Sequence, residues 1–381
     1  MVNQRQISEQ PYGGSLFLSQ NGSTWTADQE SDMTFRLFRN QFSLTPATAQ
    51  FKLNAPAANT PIDLINLVTG DMAISDTSLA YRFNSTIDGT GLSAGLKPIT
   101  PSEDYYMNDG YNRRVLTTQN NSLVVQATMA TLDTAVSPVI DTTRFGIIAV
   151  ENILNNLPLA NSGFIVTNGG SGYANSGDVT VTISPDLGAT ARANVVSNTI
   201  DAIVLTNSGG SGYTTSPTIT ITPGSGGGSG AVVTYNGEDK KSGGNADVRY
   251  MTRRVTLADG FDSGDLRVYL TAYKPDGAGI NVYYKLLSNS DVDDFDDKEY
   301  QLMTQLGDTN YISLNSDDLR EFTFAPGISG SANNSVSYTA GSTAYRNFRT
   351  FSIKIVLTGT NPTDPPRVRD FRAIALPEGT V

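Results

Sequence analysis

The chain reads as an all-β protein: a jelly-roll or β-sandwich core, an inserted two-copy β-repeat module and an N-terminal strand-rich arm. Three observations predict this. Short runs rich in Val, Ile, Tyr and Phe alternate with polar residues at period two, the pattern of half-buried antiparallel strands. Clusters of Gly, Pro, Asp and Asn separate those runs at the spacing of sandwiches and jelly rolls. Charged residues make up only 17% of the chain and glycine fills 36 of its 381 positions, a turn-rich composition unlike that of a helical enzyme.

The clearest strands lie between Asp247 and Leu376. Leu266, Val268, Leu270 and Ala272 fall on one face of a strand, with Arg267, Tyr269 and Thr271 on the other. Phe351, Ile353, Ile355 and Leu357 alternate with Ser352, Lys354, Val356 and Thr358 in the same way. At the other end, Met33, Phe35 and Leu37 mark a strand, and the segment to about Asn54 carries large apolar groups, Trp25 among them. It is too short to bury them alone. Either it adds a strand to a neighbouring sheet or it is an arm that docks on another subunit. Ser78–Phe83 alternates, and Lys97–Pro101 reads as an extended edge. Ser122–Met129 is a strand, and Phe145–Ile153 is a buried strand or the start of a short helix.

Between Gly163 and Tyr235 the composition changes: only Asp178, Asp186, Arg192 and Asp201 are charged. Here FIVTNGGSGY, ending at Tyr173, is echoed by IVLTNSGGSGY, ending at Tyr213, 40 positions later. Each copy runs into a Thr/Val/Ile strand and then, past a glycine turn, into a second strand, so each is one supersecondary unit. GGSGY invites a phosphate-loop reading, but neither a helix nor a Lys-Ser/Thr pair follows it. Packing over a glycine turn, or a flat contact surface for a partner or sugar, fits both tyrosines better. A polar linker, NGEDKKSGGNAD, then leads back to sandwich strands. The expected organisation is therefore residues 1–112 as docking arm and strand region, 113–160 plus 241–381 as a discontinuous sandwich, and 161–240 as an inserted repeat module.

Composition narrows the chemistry. Histidine and cysteine are both absent, which excludes Ser-His-Asp and Cys-His catalysis and His- or Cys-ligated zinc. The net charge of −11 disfavours nonspecific nucleic-acid binding. No apolar run approaches the length of a membrane span. The opening MVNQRQISEQPYGG shows no basic and apolar leader, so synthesis and folding in a cytoplasm are expected. The acidic run Asp291, Asp293, Asp294, Asp296, Asp297 and Glu299 could offer oxygen ligands, but it lacks the mid-loop glycine of a calcium loop and reads first as a solvated turn. No catalytic, cofactor or metal residues are expected. With so many carboxylates, an acid pair at glycosidase spacing would arise by chance.

Three stretches carry a resemblance. YGGSLFLSQNGSTWTADQ, SPVIDTTRFGIIAVENIL and VRYMTRRVTLADGFDSGDLRVYLTAYKPDGAGINVYYKLLSNSD resemble virion structural proteins of large contractile-tailed bacteriophages, especially those infecting cyanobacteria. The GGSGY repeat is similar to β modules of phage tail and fibre proteins. The resemblance implies a non-enzymatic component of a tail, baseplate or fibre-attachment region. Its partners would be other virion proteins in a homo-oligomer or heteromeric assembly, without nucleic acid. Its motifs match strand and turn positions, so no functional residue is carried over. The alternative is a carbohydrate- or receptor-binding module of a tail fibre. On either reading Tyr12, Trp25, Phe35, Tyr173 and Tyr213 are the candidate partner contacts.

Overall fold

The computed structural model describes residues 16–28, 31, 40–54, 61–86, 96–106, 114–115, 122–241, 243–315, 317–327 and 336–377. Among these every regular element is a strand or a three-residue 3-10 turn, so the protein is all-β.

The N-terminal strands are β1 (Leu16–Leu18), β2 (Thr26–Asp28), β3 (Ala47–Asn54), β4 (Pro61–Ile62), β5 (Leu64–Met72), β6 (Thr77–Thr86), β7 (Lys97–Ile99), β8 (Asp104–Tyr106), β9 (Arg114–Val115), β10 (Ser122–Thr131) and β11 (Val139–Val150). β1 and β2 form a hairpin, and β4 pairs with β9. Two larger sheets, β3-β10-β6-β7 and β11-β5-β8, are wholly antiparallel. Between them lies a core of Ile65, Leu67, Tyr81, Phe83, Val125 and Ala127. Period-two alternation explains it: Ile65 and Leu67 point inward, so Val68 points out. β7 is an edge strand, as its proline, Pro98, foretells. The stretch Met33–Phe38 lies outside the described residues.

One boundary is corrected here. Residues 113–160 were expected to open the C-terminal sandwich. Instead β10 pairs with β3 and β6, and β11 pairs with β5, so both strands complete the N-terminal sheets. Alternation says that a strand is half-buried but not against which sheet, and chain neighbours commonly pair.

The repeat module comprises β12 (Phe164–Ser171), β13 (Val179–Ser184), β14 (Ala191–Val196), β15 (Thr199–Leu205), β16 (Thr218–Pro223) and β17 (Ser229–Tyr235). Hydrogen-bonded ladders run β15-β14-β13-β16 and β12-β17. β12 also lies beside β15 and β16 beside β17, so six strands close around Ala193, Ile203, Ile219 and Val233. The copies interlock. The Tyr213 hydroxyl of the second copy accepts the N–H groups of Leu187 and Ala189, in the turn of the first, at 3.3 and 3.4 Å. The Tyr173 hydroxyl of the first accepts Ala231 N–H, near the start of β17 in the second, at 3.3 Å. Gly210 and Gly170 make the same exchange possible at the backbone. Both have positive φ, +67° and +62°, and a β-carbon on either would collide with the Leu187 or the Ser229 carbonyl.

The C-terminal strands are β18 (Val248–Met251), β19 (Val255–Thr256), β20 (Asp265–Tyr273), β21 (Gly279–Leu287), β22 (Gln301–Leu306), β23 (Arg320–Pro326), β24 (Tyr338–Ala340), β25 (Thr343–Tyr345), β26 (Thr350–Thr358) and β27 (Arg367–Leu376). Eight of them make one sheet, β18-β26-β21-β22-β23-β20-β27 with β19 also on β26. It curls into a half-barrel, so strands distant in the sheet share one core. Leu266, Val268 and Leu270 of β20 meet Ile353 and Ile355 of β26 there, together with Phe322 and Phe324 of β23. These are the inward residues that the alternation predicts.

Gly210→Ala and Gly170→Ala should therefore each cost the backbone strain of about 1–2 kcal/mol and a clash besides. Gly212→Ala should cost only the former, since its φ is +82° but the space beside it is open. Urea denaturation of the three variants measures the difference.

Candidate functional site

The second face of β21 and β26 does not look into the half-barrel core. Tyr283 stands opposite Lys354, and Lys285 opposite Ser352. This face is covered by the segments that connect the repeat module to its neighbours. Leu157 and Ala246 pack there against Tyr283, Tyr300 and Val356. At the centre the Lys354 ammonium meets the Glu238 carboxylate at 3.0 Å, both side chains being 2% exposed. Lys354 also donates to the Glu238 carbonyl oxygen. The other Glu238 oxygen accepts Ala246 N–H at 2.8 Å. The Tyr283 and Tyr300 rings face the ammonium at 4.6 and 4.8 Å. Burial pushes the lysine below its ordinary range, and the Glu238 charge only partly reverses that.

Neighbouring contacts extend the junction. Tyr283 donates its hydroxyl proton to the Thr214 carbonyl at 2.6 Å. Tyr300 N–H donates to the Asp239 carbonyl at 2.8 Å. Ser216 N–H donates to the Asp239 carboxylate at 2.8 Å. Asn155 and Asn245 tie the incoming and outgoing connections together: Asn155 donates to the Asn245 carbonyl at 2.6 Å, and Asn245 to the Pro158 carbonyl at 2.8 Å.

Beside this junction opens a cleft of about 510 Å³, lined by Thr215 and Asp239 from the module side and by Asp293, Lys298, Tyr300 and Tyr338 from the half-barrel side, among others. The acidic run forms its rim, and most of its carboxylates are already engaged. Lys298 holds Asp291 at 2.6 Å and Asp293 at 2.7 Å. Lys241 holds Asp297 at 2.7 Å, and Lys240 holds Glu299 at 2.9 Å. Asp294 caps the short turn Phe295–Asp297 through Asp296 N–H at 3.1 Å. The run is thus a cross-braced turn, more structured than the solvated loop expected of it. Among the described residues no group of three or more acidic side chains converges as a metal site. The cleft's rings are also occupied. Lys298 lies over Tyr338 at 5.4 Å, Tyr345 stacks on Tyr338 at 5.2 Å, and Lys285 and Lys354 approach Tyr300.

The five candidate contacts are not brought together. Tyr12 and Phe35 lie outside the described residues. Tyr173 and Tyr213 are buried in the module core, so neither presents a face to a partner or a sugar. Their place in the expected contact set is corrected by the interlock, which uses their rings as packing and their hydroxyls as acceptors. Trp25 is 61% exposed, on the β1–β2 hairpin that also exposes Phe17 and Leu18. A further surface was not readable from alternation: Val68 and Met72 of β5 and Val139 and Ile148 of β11 share the outer face of one sheet and are all exposed, but Val139 and Ile148 do so only because β11 bulges between Asp141 and Gly146.

No protein-family model matches the chain, and no curated protein sequence matches it. Among solved structures, the chain is similar to the N-terminal CBM22-1-CBM22-2 tandem domain from Paenibacillus barcinonensis Xyn10C, at 10% identity over 87% of this chain and 91% of that one, with a TM-score of 0.17. That likeness is too loose to argue from.

Two outcomes follow from the junction. Glu238→Gln leaves a buried ammonium without its counter-charge and should destabilise the protein by about 3–5 kcal/mol, whereas Glu238→Gln with Lys354→Met should recover most of the loss. Denaturation of the single and double variants measures both. The second outcome concerns pH. Burial would raise Asp291, but the Lys298 ammonium, Asp293 N–H and Tyr338 hydroxyl more than offset it and hold the carboxyl below its ordinary range. A carboxyl lowered by folding contributes stability above its unfolded value of about 3.9 and loses it as pH falls through the folded value. Stability should therefore drop below about pH 4, and Asp291→Asn should flatten that limb of the curve.

Proposed function

We propose that the protein is a non-enzymatic structural component of a phage tail or baseplate, made in the host cytoplasm and acting in the virion by assembly with other virion proteins, with fibre anchoring as one such task. The observation that carries this reading is the outer face of the β5–β11 sheet. Met72 and Ile148 there are 57% and 55% exposed, beside Val68 and Val139. Val68 with Ile148 and Met72 with Val139 form two apolar pairs on that face, separated by Gly70, Asp141 and the Arg144–Asp141 ion pair, and large apolar groups exposed together on one sheet face mark an interaction surface. The Trp25 hairpin adds an exposed aromatic anchor of the type that interfaces favour. The virion setting rests on the sequence resemblance. Light scattering of the full chain and of a Met72→Glu, Ile148→Glu variant tests the proposal. The expected result is a defined oligomer for the full chain and an equally stable variant whose association is weakened at least about hundredfold. A full chain that stays monomeric at high concentration, and does not join purified tail proteins, sinks it.

A second reading, a carbohydrate- or receptor-binding module, is favoured by one observation: the cleft rim combines carboxylates and ammonium groups, which can accept from and donate to sugar hydroxyls. Titration calorimetry of neutral and acidic oligosaccharides against the full chain and Glu299→Gln decides it. Binding lost in the variant supports it, and no heat up to millimolar sugar overturns it.

A further inference from the structure

We propose that the half-barrel holds a strand-addition slot between β18 and β27 that accepts one extended segment of a partner polypeptide. These are the two terminal strands of the eight-stranded sheet, and among the described residues each pairs on one side only, β18 with β26 and β27 with β20. No backbone hydrogen bond joins them. Between them lies a groove of about 360 Å³. Its floor is Ile355 and Leu357 of β26, and its walls carry Val248, Tyr250, Val368 and Phe371. The Tyr250 and Phe371 rings approach edge to face, with centroids 6.2 Å apart, at the mouth of the gap. The groove is the open seam of the half-barrel, where the core of the sheet reaches the surface.

The backbone says what fits it. Thr252 N–H donates to the Ile353 carbonyl at 2.9 Å. In an antiparallel ladder this alternates, so Tyr250 and Val248 also turn their amide groups toward β26, and Arg249 and Met251 turn theirs to the open edge. Unpaired groups along an edge call for a strand, not a helix or a sugar. The strand's inward residues would be apolar, to lie on Ile355 and Leu357. Its outward residues would be acidic. Arg249 and Arg369 line the slot, and Arg369 is exposed with no ion-pair partner among the described residues, whereas the nearby Asp370 is already beside Arg372 at 3.6 Å. β18 spans only Val248–Met251, and the β27 ladder is irregular beside Arg369, so the slot is short and shaped, which limits indiscriminate pairing. This surface is remote in sequence from the β5–β11 face, and the inference does not depend on the assembly role proposed for that face.

The test uses the full chain and a panel of four labelled nonapeptides in which Val, Leu, Ile or Phe occupies every second position and Glu and Thr fill the rest. Fluorescence polarisation should show saturable binding of at least one peptide, with slowed hydrogen exchange at the Arg249 and Met251 amides. Affinity should fall at least about tenfold when the peptide is N-methylated at alternate residues, which removes its donors to one edge. It should fall as much in Tyr250→Glu, a position already 58% exposed, whose thermal midpoint should stay unchanged. Replacing Glu by Lys in the peptide should weaken binding severalfold. The inference is overturned by any of three results: no peptide binds up to millimolar concentration, N-methylation leaves binding unaffected, or light scattering shows a second copy of this chain occupying the slot and displaced by Tyr250→Glu.

Discussion

The arrangement of the C-terminal two-thirds depends on one buried ion pair. Lys354 sits in β26, the strand next to the β18 edge of the half-barrel sheet, and Glu238 sits in the segment that leaves the repeat module. Removing both charges from water costs several kcal/mol per ion, and their attraction offsets this only with good geometry and further hydrogen bonds. Both conditions are met: the carboxylate also accepts Ala246 N–H, and the ammonium also donates to the Glu238 carbonyl and lies against two tyrosine rings. A pair of this kind adds little net stability compared with apolar side chains, but it penalises any arrangement that separates its members. It therefore acts chiefly on register. The module can sit on the sheet in the one position that closes the pair, and the hydrogen bonds from the Tyr283 hydroxyl to the Thr214 carbonyl and from Tyr300 N–H to the Asp239 carbonyl follow from that position.

The module supplies the complementary constraint. Neither GGSGY copy is complete alone, because the tyrosine of each reaches the backbone of the other. Two copies close the exchange, which explains why the repeat stops at two and does not extend as a solenoid. Gly209 and Gly169 bring the chains into close approach, Gly209 against the Leu159 backbone and Gly169 against the Ile200 carbonyl. Leu159 and Ile200 thus hold matching places, and the structural repeat begins several residues before the glycine motif that reveals it in sequence.

The strands themselves were legible because half-burial writes period two into the chain, as at Leu266–Ala272 and Phe351–Leu357. The repeat was legible because close backbone approach demands glycine at fixed offsets. Sheet membership was not legible. β10 and β11 have the same alternation whether they extend the N-terminal sheets or the half-barrel, and only the ladders to β3, β5 and β6 distinguish these. The junction was missed for a related reason. NGEDKKSGGNAD has the composition of an exposed linker, yet Glu238 is buried by a lysine more than a hundred residues away. Lys354 itself gave a faint signal, as a charged residue within a strand of β-branched and aromatic neighbours. A tyrosine beside a glycine turn can pack over it or present a contact face, and burial separates these two readings at Tyr173 and Tyr213.

These constraints also bear on how the molecule can recognise anything. Recognition by stacking needs an aromatic ring with a free face. In the cleft, Tyr338 is flanked by Tyr345 and Lys298, and Tyr300 is approached by Lys285 and Lys354; in the module the repeat tyrosines are interior. The rings that could have served a sugar are largely spent on holding the units together. What the described residues leave open is of another kind: an apolar sheet face in the N-terminal unit, a hairpin bearing Trp25, and two unpaired strand edges over an apolar seam. Such surfaces offer contact area and backbone hydrogen bonds, the means by which polypeptides bind polypeptides. That balance favours assembly with other proteins over capture of a small ligand.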